Sequence, residues 1–169
     1  MTNKMTRTGR MVRAGFVTEE AVYGVVLVAG MIVVAGAKDG TSWTVFTTVA
    51  TTVLVFWAAH VYAGTVAHHG FEVDRFTSLQ EAFGQSMHRS LGLLTSSLIP
   101  LFILLLGATE LIDDQTTIWL ALWTCVLVLT VLGFIAYARR GAPWIWRIIG
   151  ALTTGTFGLA MILLKAVIH

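Results

Sequence analysis

The sequence predicts an all-α polytopic membrane protein, and three observations support this fold class. Hydrophobic residues make up 56% of the 169-residue chain and charged residues 12%, so a water-soluble domain would lack the polar residues to cover its surface. Five apolar stretches approach or exceed the roughly 20 residues that cross a bilayer as a helix. Basic residues also fall unevenly between these stretches. The predicted spans, in a single transmembrane domain of residues 1–169, are about 20–37, 43–67, 90–111, 116–138 and 144–165.

The distribution of Lys and Arg predicts the orientation of the chain. Only Lys38 and Lys165 fall on the side where the C-terminus lies, and the other basic residues share the side of the N-terminus. By the positive-inside tendency the N-terminus is predicted to be cytoplasmic and the C-terminus external, which requires an odd number of spans. The basic residues on the N-terminal side are Lys4, Arg7, Arg10, Arg13, Arg75, Arg89, Arg139, Arg140 and Arg147.

Several function classes are not expected from the sequence. It lacks nucleotide-binding, dinucleotide-binding, haem-binding and zinc-protease motifs and a serine nucleophile elbow, so neither enzymatic activity nor a cofactor is predicted. A sequence pI near 9.0 reflects topology and attraction to anionic lipid heads, so no nucleic-acid partner is expected. The expected partners are the lipid bilayer and either further copies of the chain, in a homo-oligomer, or a larger membrane complex.

The first span is rich in glycine, and small residues let membrane helices approach each other closely. Gly24, Gly30 and Gly36 are spread along it. After this span, Gly40 is expected to stop the helix and Ser42 to cap the next one. The first two spans are therefore predicted to form an antiparallel hairpin.

The second span carries two polar faces. At about 100° per residue, His60 lies in line with Val49 and Val53, opposite a face of threonines. Those threonines either bond to helix carbonyls or line a pore, and the first reading is the simpler one. They are Thr44, Thr47, Thr48 and Thr51.

His60 is the ionisable residue that the sequence places within the hydrocarbon region. It precedes His68, at the predicted cytoplasmic end, by ~12 Å along a helix axis. Ionisable side chains at such depth are costly and are functional candidates. His60, Trp57 and Tyr62 are therefore the candidate ion-pathway or proton-sensitive residues. The alternative is a neutral histidine that is hydrogen-bonded to a neighbouring helix.

The connection between the second and third spans holds a possible metal or polar cluster. Imidazole and carboxylate groups suit transition metals, although the ligand spacing of a helical metal motif is missing, and a solvated loop with local ion pairs is the alternative. A capping box, Ser78-x-x-Glu81, predicts that a helix starts near Leu79 and continues into the third span. The cluster comprises His68, His69, Glu81 and His88.

The last two spans carry packing signals rather than chemical ones. Asp113 and Asp114 are predicted to cap the fourth helix, where carboxylates favour its positive end. In the fifth span, Gly150, Thr154 and Gly158 form a small-xxx-small stripe, which predicts close helix contact within or between chains.

Two segments resemble those of known membrane proteins. EEAVYG at residues 19–24 and FWAAHVYA at 56–63 resemble a set of small uncharacterised integral membrane proteins from high-GC Gram-positive bacteria. This resemblance covers most of the chain and implies a multi-pass protein of the bacterial cytoplasmic membrane, without implying an activity.

A remoter resemblance involves the end of the second span. Phe56-Trp57-x-x-His60 is similar to the Trp-x-x-His element of the bacterial and lysosomal potassium channels related to transmembrane protein 175. That family's Phe-Ser-Asp signature is absent here, and one span fewer is predicted. Only Trp57 and His60 match, so the resemblance carries over no selectivity or gating residues.

Together these observations predict a small homo-oligomeric channel or transporter for a cation or proton. His60 and the cluster near the third span would supply its polar elements. The alternative is an accessory or scaffold subunit of a larger membrane complex without chemistry of its own, in which Gly150, Thr154 and Gly158 would form the groove that faces the partner.

Overall fold

The computed structural model describes residues 2–37, 40–68, 70–72, 75–77 and 79–168, and side chains within 19–37, 40–67 and 79–168. Within these residues the chain forms five α-helices and one short β-hairpin, so the predicted all-α class is confirmed. The helices are α1 (Thr2–Ala35), α2 (Ser42–His68), α3 (Leu79–Ala108), α4 (Asp114–Arg139) and α5 (Trp144–Ile168), and the strands are β1 (Gly70–Glu72) and β2 (Arg75–Thr77).

Four of the described helices, α2 to α5, are long and apolar enough to cross a membrane. The first helix is not among these four. It is the longest helix, but its apolar part begins only at Ala21. It contacts all four other helices, and Val25, Val28 and Ile32 on it are fully buried. Neighbouring helices therefore cover the apolar face of α1.

Small residues set the distances between the helices. A Cβ atom at Gly24 on α1 would lie 2.9 Å from the backbone oxygen of Leu93 on α3, and one at Gly64 on α2 would lie 2.8 Å from Ser86 Oγ. A side chain at Gly24 would collide with backbone, whereas one at Gly64 would have to displace the short side chain of Ser86. The antiparallel α2–α3 and α4–α5 pairs have the most extensive contacts in the bundle.

We call the end of the bundle that carries β1 and β2 the hairpin end, and the opposite end, where α1 joins α2, the turn end. The two strands pair antiparallel, with Phe71 opposite Phe76. From the sequence, no strands were predicted in this connection. Three-residue strands are too short to produce a periodic signal.

Helix starts agree with the predictions at two places and differ at one. α3 begins at Leu79 and Asp113 caps α4 by accepting the backbone N–H of Thr116 at 3.2 Å, as predicted. Ser42 is not the cap of α2, because Thr41 Oγ1 accepts the backbone N–H of Thr44. The Ser42 N–H instead donates to Asp114 Oδ1 at 2.7 Å and so joins α2 to α4 at the turn end.

Lys165 was predicted to lie on the external side, and its side chain is fully buried within the bundle. Its Nζ donates to the backbone carbonyl of Gly36 at 2.5 Å. The last carbonyls of a helix lack intrahelical partners and carry partial negative charge. Lys165 therefore supplies a hydrogen-bond donor to a carbonyl at the C-terminal end of α1, at the turn end of the bundle.

Candidate functional site

A polar cleft of about 260 Å³ lies between α1, α2 and α3, in the half of the bundle near the hairpin end. It gathers more ionisable side chains than any other described cavity. Helix α4 and helix α5 contribute no side chain to its lining. The lining residues are Glu19, Glu20 and Tyr23 from α1, His60, Ala63 and Gly64 from α2, and Ser86, Arg89 and Ser90 from α3.

Glu20 and His60 face each other in this cleft. His60 Nε2 lies 3.4 Å from Glu20 Oε1, and the side chain of Glu20 is only 11% exposed while that of His60 is 39% exposed. Glu20 is buried because it shares a helical stripe with Gly24 and Val28, four and eight residues on, which faces the other helices. The two groups are within ion-pair range, and the contact is longer than an ordinary N–H···O hydrogen bond of about 2.7–3.2 Å.

Two buried oxygen atoms at the cleft have no hydrogen-bond partner among the described residues. They are the second carboxylate oxygen of Glu20, Oε2, and the hydroxyl of Ser86. Buried polar groups in proteins are nearly always hydrogen-bonded, and leaving one unpaired costs about 1–3 kcal/mol. Both atoms have almost no exposed surface, so their bonding capacity becomes available to a molecule in the cleft only when these side chains move.

The position of His60 follows from the pattern along α2. Val49 and Val53, on the same face, are buried in the core, so this face of α2 points into the bundle. The ring of Phe56, one turn before His60, stacks on the imidazole with centroids 6.3 Å apart and an angle of 25° between the planes. This stacking restricts the imidazole to the side of α2 that meets α1.

The threonines on the opposite face of α2 form local bonds. Thr47 Oγ1, on this face, donates to the carbonyls of Trp43 at 3.0 Å and Thr44 at 3.1 Å, and the neighbouring Thr52 Oγ1 donates to that of Thr48 at 2.8 Å. Such bonds satisfy the hydroxyls within their own helix. They favour the interpretation that these threonines bond to helix carbonyls and do not line a pore.

The two aromatic residues grouped with His60 by the sequence lie elsewhere. Tyr62 is 72% exposed and does not line the cleft, because residues two apart on a helix point in nearly opposite directions. Trp57 packs against the hydrophobic core, and its Nε1 is buried without a hydrogen-bond partner among the described residues. The structure therefore brings neither side chain into the polar cleft.

The predicted metal cluster is not assembled by the residues that the structure describes. Glu81 and His88 both lie on exposed positions of α3 and outside the cleft lining. The side chains of His68 and His69 lie outside the described part of the chain. Among the described residues no group of three His, Cys, Asp or Glu side chains is placed to hold a metal ion.

Gly150, Thr154 and Gly158 lie against α4 of the same chain. Thr154 Oγ1 donates to the carbonyl of Leu129 at 2.9 Å, and a Cβ atom at Gly158 would lie 2.9 Å from the Cα of Val126. The stripe is therefore covered within the chain. The alternative prediction that it forms a groove for a partner was wrong, because sequence spacing does not tell which helix covers a stripe of small residues.

Glu20 is the site residue that sequence reasoning missed. Its signal was present, since a carboxylate at the start of an apolar helix that shares a stripe with buried positions is costly unless it is paired. Its partner lies 40 positions further along the chain, so the pairing required knowledge of how α1 and α2 pack.

Comparisons with protein-family models, with curated proteins and with solved structures give no match to this chain. The two resemblances drawn from the sequence therefore stay expectations. The chemistry of the cleft has to be argued from its own residues.

Proposed function

We propose that the chain spans the bacterial cytoplasmic membrane five times, with its N-terminus in the cytoplasm. The central place of α1 supports this, because a helix enclosed by four others crosses the same layer as they do. The hairpin end would then be cytoplasmic. It carries Arg139, Arg140 and Arg147 beside the connection of α4 to α5, in keeping with the positive-inside tendency.

The protein transports a cation or a proton across this membrane, and Glu20 and His60 form its binding site. The observation that carries this proposal is the contact of a buried carboxylate with an imidazole in a cleft that also presents an unpaired carboxylate oxygen. Ionisable groups at membrane depth are expensive and mark ion pathways or proton relays more often than structural contacts. Neither enzymatic activity nor a cofactor is part of this proposal.

A transporter fits the surroundings of the cleft better than a permanently open pore does. Val25 and Val28 on α1 and Val49 and Val53 on α2 lie between the cleft and the turn end, and each is at most 2% exposed. Packed apolar side chains of this kind exclude water and ions. Passage to the other side therefore requires the helices to move, as in alternating access.

Flux measurements on purified protein in liposomes test this function. The wild type should show uptake of a proton, Na⁺ or K⁺ when a membrane potential is applied. Glu20→Gln and His60→Gln should each lower the flux about tenfold or more. The reason is that each variant takes a charged group away from the bound ion, and a hydrogen bond to a charged group is worth about 1.5–3 kcal/mol, which at a rate-limiting barrier is a factor of ten or more.

Matched controls come from the same residue types away from the cleft. Glu110→Gln at the turn end and His88→Gln on the exposed face of α3 remove one carboxylate or one imidazole each, and both should keep wild-type flux. If only His88→Gln lost flux, the transport site would lie near His88, at the hairpin end, and not at the cleft. Absence of any flux in the wild type would contradict the transport function and favour the accessory-subunit alternative.

A further inference from the structure

We infer that the cation bound at this site is a proton, which Glu20 and His60 share and which water in the cleft delivers from the hairpin end. This inference deepens the proposed function and rests on it. It names the transported species, and it assigns the carboxylate of Glu20 a role as proton acceptor.

The protein oxygens of the cleft are too few for a metal cation that has lost its water. Calcium takes about six to eight oxygen ligands and magnesium about six, and potassium filters use rings of backbone carbonyls. The buried oxygens without a partner here are one carboxylate oxygen of Glu20 and one hydroxyl of Ser86. The surrounding backbone is helical, so its carbonyls are already bonded within the helices. A proton needs only one acceptor atom, and the cleft provides it.

The charged groups that face the pair favour a proton as well. Helix α1 contributes Glu19 and Tyr23, α2 contributes His60 itself, and α3 contributes Arg89. When His60 is protonated, the two carboxylates balance the imidazolium and the guanidinium. When it is neutral, one negative charge is left over in a partly buried cleft, which is costly. Binding one monovalent cation therefore neutralises the cleft, whereas a divalent ion would overcharge it, and among monovalent cations the small number of oxygen ligands favours a proton.

The proton transfer is balanced within the cleft. An O–H bond of a hydronium ion breaks and an N–H bond forms at His60 Nε2, beside the Glu20 carboxylate that stabilises the resulting imidazolium. In the other form of the same state the proton lies on a Glu20 oxygen and the imidazole is neutral. Release reverses the transfer and returns the proton to water.

The cleft has room for the water that this transfer needs. At about 30 Å³ for each molecule in the liquid, a volume of about 260 Å³ holds several waters. They would reach the partly exposed imidazole of His60 and the exposed Glu19, whereas Ser86 Oγ and Glu20 Oε2 are buried behind the surface of the cleft. The absence of a side chain at Gly64 preserves this space, because a Cβ atom there would lie 2.8 Å from Ser86 Oγ.

Infrared difference spectroscopy on the full-length protein in lipid tests the shared proton without any transport. Spectra are recorded between about pH 5 and about pH 8, the interval in which histidine changes charge, on samples with isotope-labelled Glu and His. The wild type should show one carboxyl band that Glu20→Gln removes and one imidazole band that His60→Gln removes. Both bands should change over the same pH interval, and each single variant should displace the surviving band to a different interval.

Three results would overturn the inference. They are bands that change independently of each other, a Glu20 band that stays constant over the whole interval, and displacement of the proton signals by Na⁺ or K⁺. Circular dichroism checks that each variant is folded. If a variant is not folded, the pH dependence of the two wild-type bands alone decides whether the proton is shared. Flux without coupled bands would refute the shared proton and leave the transport function standing. Coupled bands without flux would refute the transport function and leave the shared proton standing.

Discussion

The central packing of α1 is tested by a pair of glycine substitutions on that helix. Gly24 meets α3 so closely that an added Cβ atom would lie 2.9 Å from the Leu93 carbonyl oxygen and 3.1 Å from its Cα. Gly30, further along the same helix, has no atom within 4 Å of an added Cβ. Gly24→Ala therefore inserts a methyl group against backbone, which cannot give way as the end of a side chain can. Gly30→Ala inserts it into open space.

The magnitude follows from two terms. Replacing Gly by Ala inside a helix gains about 0.8–1.0 kcal/mol of helix propensity at both sites, and this term cancels when the variants are compared. Overpacking costs about 1–3 kcal/mol at Gly24 only. Gly24→Ala should therefore be less stable than Gly30→Ala by about 1–3 kcal/mol. For a chain of this size that is roughly 2–4 °C in unfolding temperature per kcal/mol.

Thermal unfolding of both variants and the wild type, in one detergent and at one protein concentration, measures this difference. Gly30→Ala should unfold at or above the wild-type temperature, and Gly24→Ala below that of Gly30→Ala. Equal shifts of the two variants would refute the reasoning, because they would mean that Gly24 does not face a helix backbone.

Three further predictions concern the cleft, the turn end and the orientation. Gly64→Ala should narrow the cleft and lower the flux while the fold is unchanged. The control Gly84→Ala, where an added Cβ meets nothing within 4 Å, should keep the flux. Equal flux in liposomes with the two variants would contradict the water pathway. Lys165→Ala should lower the stability by about 1.5–3 kcal/mol, because the Gly36 carbonyl loses its charged donor, and an unchanged unfolding temperature would contradict this. A reporter after Arg140 should be cytoplasmic and one at the C-terminus external; both on one side would exclude five spans.

Local patterns in the sequence were enough to predict part of this structure. The start of α3 at Leu79 and the cap at Asp113 depend on neighbouring residues along the chain. The inward face of α2 at His60 depends on helical periodicity, which valines on the same stripe reveal. Such features carry their own signal because the atoms that determine them are close in sequence.

The remaining features depend on contacts between distant segments, so sequence alone did not reveal them. The carboxylate that meets His60 belongs to Glu20 on another helix, and the carbonyl that Lys165 binds belongs to Gly36. The sequence shows that each is a charge in an apolar helix, but not which group pairs with it. Likewise, it showed that the Gly150 and Gly158 stripe packs closely, but not that α4 of the same chain covers it.

The claim that Glu20 and His60 act as one transport site is tested most directly by a double-mutant cycle on proton flux. Liposomes with the wild type, Glu20→Gln, His60→Gln and the double variant are compared under the same potential. Residues that act as a unit show effects that do not add. We expect each single variant to lower flux about tenfold or more and the double variant to be no slower than the slower single one. Losses that multiply, to about a hundredfold or more, would contradict the account, because the two side chains would then act independently.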